Sequence, residues 1–201
     1  MTTDMDVTER VATALDKHPA IRSVRLVGSR ADGTPTRFSD WDFAVDTDDF
    51  ASVAEALPHL VQALSPIAQQ WERLSEHACY MLILAGPVKV DLIFDAVHHV
   101  EPPWTPTPQT LAAIDDHFWD WILWLLSKED AGREEVVSAE LGKMSDHLLR
   151  PMGVREGPTD LAEAINAYIA ARTEMEGLLG ETVEGALEQE VGKAWLRRTS
   201  R

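Results

Sequence analysis

The stretch VGSRADGTPTRFSDWDFAV, residues 27–45, decides how this chain is read. It leaves an apolar run at Gly28-Ser29, crosses a polar loop, and enters a new apolar run in which Asp40 and Asp42 stand two apart. IRSVRLVG before it reads as a strand ending in a tight turn, and WDFAV as a second short strand. Residues i and i+2 of a strand point to the same face, so the two carboxylates project together. Like charges held that close are costly unless a cation lies between them.

A D-x-D on a strand is therefore a reasonable seat for a hard divalent cation. Mg2+ takes oxygen ligands and fills its remaining positions with water and phosphate oxygens. Read alone, the same pair is far more often an ordinary solvated strand face. Gly28 lets the backbone approach a phosphate closely, exposed amides and the Ser29 hydroxyl can hydrogen-bond its oxygens, and Arg30 can add charge-assisted contacts. The plain alternative is a strand-to-helix turn, for which Gly-Ser is routine. The third piece is Asp91 in VKVDLIFD, a charge inside a continuous β-rich run that needs a partner there. If that strand lies beside WDFAV, Asp91 joins Asp40 and Asp42 as a third carboxylate. Such a triad suits metal-assisted phosphoryl chemistry, where metals stabilise the attacking and leaving oxygens of an in-line displacement. Asp95 reads as a strand-end residue with its carboxylate in water.

The chain of 201 residues is 45% hydrophobic and 26% charged, the balance of a globular protein with a sizeable core. No opening segment has the make-up of a secretory signal, and WILWLL, the longest apolar run, is far too short to span a bilayer. The single cysteine, Cys79, lies in an apolar run and is expected to be a buried, inert thiol. A cytoplasmic location is expected by elimination. The net charge of −16 argues against nucleic acid and anionic membranes as partners and favours a small cationic one. Acidity for solubility alone is the commoner cause of such a charge. The oligomeric state stays open.

One break in composition divides the sequence. EPPWTPTP, Glu101 to Pro108, reads as a short stiff linker. Before it the expected order is helix, strand, strand, helix, strand, strand. Val7, Val11, Ala14 and Leu15 mark one face of the first helix, the second is interrupted at Pro58, and the last two strands form a hairpin at Ala85-Gly86-Pro87. After the linker four helices are expected, from QTLAAIDDHFWDWILWLLSK, GREEVVSAELGKMSDHLLRPMG, PTDLAEAINAYIAARTEMEGLLG and TVEGALEQEVGKAWLRRTSR. Phe118, Trp119, Trp121 and Trp124 cannot all share one helix face, and core packing is expected for most. His98 and His99, ending the Asp91 strand, read as structural. No Walker loop, G-x-S-x-G or paired C-x-x-C occurs.

Gly28-Ser29, the D-x-D of Asp40 and Asp42, and the later Asp91 together resemble the signature of the DNA polymerase β-like nucleotidyltransferase superfamily. The resemblance implies an α+β fold: a small mixed-sheet nucleotidyltransferase domain with flanking helices over residues 1–100, the linker at 101–108, and an all-α helical bundle domain at 109–201. It implies an enzyme that binds ATP or another nucleoside triphosphate with Mg2+ and passes a nucleoside monophosphate, AMP foremost, to an acceptor hydroxyl. Asp40, Asp42 and Asp91 would hold the metals, with Asp91 alternatively the general base, and Gly28, Ser29 and Arg30 would cradle phosphates. The helical half looks like that of aminoglycoside and lincosamide nucleotidyltransferases. That likeness implies an acceptor-binding or general-base role for Glu134 or Glu135, a triphosphate contact for Lys143, and an antibiotic as acceptor. A protein or RNA acceptor, as in toxin–antitoxin members, and a non-catalytic nucleotide-binding regulator remain the alternatives.

Overall fold

The computed structural model describes residues 4–97 and 104–198. His98, His99 and the first three positions of the proline-rich stretch fall outside them; Trp104 to Thr107 carry no regular structure. The chain divides into two compact units, one made of Met1–Pro35 and Ser39–Val100, the other of Thr36–Phe38 and Glu101–Arg201.

The first unit is α1 (Asp4–Leu15), β1 (Ile21–Val27), the single turn α2 (Gly28–Ala31), β2 (Trp41–Thr47), α3 (Phe50–Leu60), β3 (Ala68–Trp71), β4 (His77–Leu84) and β5 (Val88–Val97). The strands form one mixed sheet in the order β1-β2-β5-β4-β3, with β2 and β5 parallel and every other pair antiparallel. Strand alternation divides the sheet into two chemistries. Trp41, Phe43 and Val45 of β2, Val90, Leu92 and Phe94 of β5, and Tyr80, Leu82 and Leu84 of β4 belong to one buried cluster. Val7, Val11, Ala14 and Leu15 of α1 and Val53 and Leu57 of α3 complete it, spaced three or four apart along each helix, the spacing of a single face. Residues of opposite parity, Asp42 on β2 and Asp91 on β5, point away from this cluster.

Two elements depart from expectation. The helix containing Pro58 runs unbroken to Leu60 and tightens into a 3-10 turn over Val61–Leu64, ending at Ser65 with φ 55°. Its start is fixed by the Asp49 carboxylate, which accepts from the Ser52 amide at 3.1 Å. Strand β3 was not expected. Its sequence, AQQW, has neither alternation nor β-branched residues, and it exists because its backbone pairs with Tyr80 to Ile83 of β4. Cys79 is half-buried rather than buried.

The second unit contains α4 (Leu111–Asp130), α5 (Glu134–Met144) followed by a π turn at Ser145–Leu149, α6 (Leu161–Leu179) and α7 (Ala186–Arg198). The expected fourth helix opens four residues late, after Gly185 at φ 64°. Phe118, Trp119 and Trp121 are buried, and Phe118 stacks on Tyr168 with centroids 3.8 Å apart. Asp115, 1% exposed, is held by three donors on one oxygen: Tyr168 at 2.8 Å, Arg172 at 2.8 Å and Trp119 at 3.2 Å. A buried carboxylate needs such partners. Burial pushes the Asp115 carboxyl up, against the pull of those donors. Among the described residues no helix is long and apolar enough to cross a membrane.

Candidate functional site

The parallel pairing of β2 with β5 sets Asp42 directly opposite Asp91. Asp40 sits just before β2, on the same parity as Asp42. One carboxylate oxygen from each of Asp40, Asp42 and Asp91 lies within 4.8 Å of the others. Asp40 and Asp91 are 7% and 8% exposed. Oxygens around an octahedral Mg2+ at about 2.0–2.1 Å are roughly 3 to 4 Å apart, so small side-chain rotations bring this trio to ligand geometry. Hard anionic oxygens with no sulfur or imidazole among them suit Mg2+ or Mn2+ rather than zinc.

The end of β1 closes one side of the trio. Val27 pairs with Asp42, and Gly28 follows at φ 69°, in the left-handed region that favours glycine. A Cβ at residue 28 would lie 2.3 Å from Asp42 Oδ2. The backbone of the Gly28-Ser29 turn therefore rests against a prospective ligand, leaving space that any larger residue would fill. The carbonyls of Gly28 and Ser29 accept from the Asp32 and Thr34 amides at 3.1 and 2.9 Å, which fixes the turn. No partner takes the Ser29 hydroxyl among the described residues.

Arg30 lies in the same turn, with its guanidinium on protein atoms. Nε and Nη2 donate to the Ser39 carbonyl at 3.2 and 2.7 Å, Nε also to the Asp40 carbonyl at 3.0 Å, and the group stacks 4.2 Å from the centre of the Trp41 ring. These contacts tie the Gly-Ser turn to the backbone that presents Asp40. The sequence stretch that starts at Gly28 and ends at Asp42 is thus closed on itself by one arginine.

Lys89 was not singled out from the sequence. It sits two residues before Asp91 on β5, is 7% exposed, and donates to Asp91 Oδ1 at 2.7 Å. A buried lysine is costly without an anionic partner. The available signal was K-x-D on a strand, the same i, i+2 rule that groups Asp40 with Asp42.

The residues singled out in the second unit are placed less specifically. Glu134 and Glu135 are exposed in the first turn of α5. Lys143, in the last turn of the same helix, donates to Glu140 Oε1 at 2.7 Å, and Glu140 Oε2 accepts from Trp121 at 3.2 Å.

The sheet thus brings an acidic trio, able to hold a metal ion, beside a positive-φ glycine. Residues 9–97 match a family model described as a nucleotidyltransferase domain. None of the curated proteins compared gives a match. Among solved structures, a cytoplasmic RNA terminal U-transferase is 18% identical, with 69% of this chain and 41% of that one covered at a TM-score of 0.42. An aminoglycoside 6-adenyltransferase from Bacillus subtilis is 12% identical, with 94% and 96% covered at 0.36. The polymerase core of TRAMP, an RNA surveillance complex, is 10% identical, with 92% and 61% covered at 0.38. The chain thus spans less than half of the U-transferase.

Proposed function

We propose that this protein transfers AMP from ATP, with Mg2+, to a hydroxyl of a small cationic molecule of the aminoglycoside type. The observation that carries the reaction is the convergence of Asp40, Asp42 and Asp91 within 4.8 Å beside the Gly28 backbone. When bound, the metal neutralises charge on the phosphates and the leaving pyrophosphate. Asp40 and Asp42 provide its two neighbouring ligands, and Asp91 the third. The Lys89 ammonium already on Asp91 Oδ1 is the arrangement of an anionic ligand held in place rather than of a base awaiting a proton. The Gly28-Ser29 amides and the Ser29 hydroxyl donate to the β- and γ-phosphate oxygens. Arg30 holds the turn and the Asp40 loop in register.

The acceptor class rests on the net charge of −16, whose field gathers small polycations. Glu134 and Glu135, exposed in the first turn of α5, are assigned to the amines of the acceptor. A cytoplasmic location accompanies that role. The test is pyrophosphate release from each nucleoside triphosphate with Mg2+, against aminoglycosides, lincosamides and uncharged polyols. Release is expected with ATP and a cationic acceptor, and Asp42→Asn should cut it by roughly a hundredfold or more while leaving the thermal transition in place. Undiminished release in Asp42→Asn sinks the site assignment. No release across the panel, with nucleotide still bound, transfers the proposal to a protein or RNA acceptor.

A further inference from the structure

We propose that Lys89 is the resident counter-cation of the carboxylate trio, and that it makes the site take its metal together with the triphosphate rather than alone. The inference rests on the metal-binding reading given above and concerns a residue outside the ligand set. Asp40, Asp42 and Asp91 offer oxygens within 4.8 Å of one another, and two of the three residues are almost fully buried. Without compensation that arrangement drives its members apart. Lys89, itself 7% exposed, places its ammonium 2.7 Å from Asp91 Oδ1. Its position is set by the sheet: Lys89 and Asp91 share a face of β5 and stand opposite Ile83 and Met81 of β4. The backbone of Lys89 is therefore fixed by two strands, and its ammonium, on Asp91 Oδ1, lies beside the seat of any ion that Asp91 would bind.

Two consequences follow from the sign of that charge. In the metal-free protein, Lys89 offsets part of the negative charge and keeps Asp91 close to Asp42. Toward ligands it discriminates. A bare divalent cation is repelled by the ammonium, whereas a metal–triphosphate complex, carrying net negative charge, is attracted to it. Lys89 thus lowers the affinity for free ion and raises it for the charged donor. The site therefore takes its metal more tightly with the nucleotide than alone.

The experiment compares the full-length wild type with Lys89→Met and Lys89→Arg. Mn2+ is titrated calorimetrically, alone and with a non-hydrolysable α,β-methylene ATP, and thermal unfolding is followed in EDTA and in saturating Mn2+. Lys89→Met is expected to bind Mn2+ alone about tenfold more tightly than the wild type, because a repelling charge is gone. The enhancement of Mn2+ binding by the ATP analogue should shrink by a similar factor. Its loss of melting temperature should be large in EDTA and small with Mn2+, while Lys89→Arg keeps the wild-type pattern. Equal loss of melting temperature in EDTA and Mn2+, with unchanged Mn2+ affinity, would show a merely structural ion pair and overturn the proposal. Should Lys89→Met fail to fold in either medium, Lys89→Gln carries the same comparison. Absence of Mn2+ binding by the wild type, with and without the analogue, instead refutes the metal reading itself, and the role of Lys89 falls with it.

Discussion

A methyl group at residue 28 would meet the Asp42 carboxylate at 2.3 Å, on a backbone already at φ 69°. Asp42 is fixed by its β2 backbone, so relief comes from turning the carboxylate away from Asp40 and Asp91. Gly28→Ala is expected to cost about 1–2 kcal/mol of stability, from the positive φ and the contact together. Its larger effect should be on metal-dependent transfer. Gly33→Ala is the natural control, since Gly33 has nearly the same φ, 71°, and nothing within 4 Å of the added carbon. Denaturant midpoints should show both variants weakened, while Mn2+ affinity and pyrophosphate release fall only in Gly28→Ala. If the two variants lose metal binding equally, the close approach of Gly28 to Asp42 has no functional meaning. At this scale the sequence was informative where one residue type had one use. Gly28 and the D-x-D announced themselves, whereas Arg30 could be read as a phosphate contact. Its engagement with the Ser39 and Asp40 carbonyls depends on how the intervening loop folds back, which no spacing rule supplies.

Among elements, α4 carries the least expected chemistry. It holds Asp115, Asp116 and Asp120 along a helix whose other residues are largely buried. Burial first, then the charges of Asp115 and Asp120, push the Asp116 carboxyl from 3.8 to about 7. An unfolded aspartate titrates near 3.9, so between about pH 4 and 7 the folded protein holds more protons than the unfolded one. Stability must then fall as pH rises through that window and level off above it. Asp116→Asn removes the titration: its gain over wild type should be near zero around pH 4 and roughly 1–3 kcal/mol by pH 8, measured by denaturant unfolding at each pH. A gain independent of pH would mean that Asp116 is not the group responsible. The elements differ in how well the sequence disclosed them. α1 and the β4–β5 hairpin were legible, because apolar spacing and Gly86-Pro87 encode them locally. β3 was not, because AQQW becomes a strand only through the partner strand beside it. For the same reason Asp91 was recognisable as a buried charge in need of a partner, while Lys89 as that partner required the strand to be seen in place.

For the whole molecule, the two features on which the proposed reaction and acceptor rest have different physical origins. The proposed reaction rests on a few short-range contacts between β1, β2 and β5, which one sequence stretch and one later aspartate supply. The acceptor is left to a surface property, the net charge of −16, which selects a sign and not a structure. That property makes its own prediction. Fields from exposed charges reach about 10 Å at 0.1 M salt and shorten as salt rises. If the acidic surface recruits the acceptor, kcat/KM for a polycationic acceptor should fall roughly tenfold or more from low to high ionic strength, as for other electrostatically steered encounters. An uncharged polyol, if it reacts, should show little change under the same conditions. Comparing the two acceptors at saturating ATP separates recruitment of the acceptor from any effect of salt on nucleotide binding, since the latter is common to both. A flat salt profile for the polycation would remove the one support for a cationic acceptor while leaving the proposal of nucleotidyl transfer at the carboxylate trio untouched.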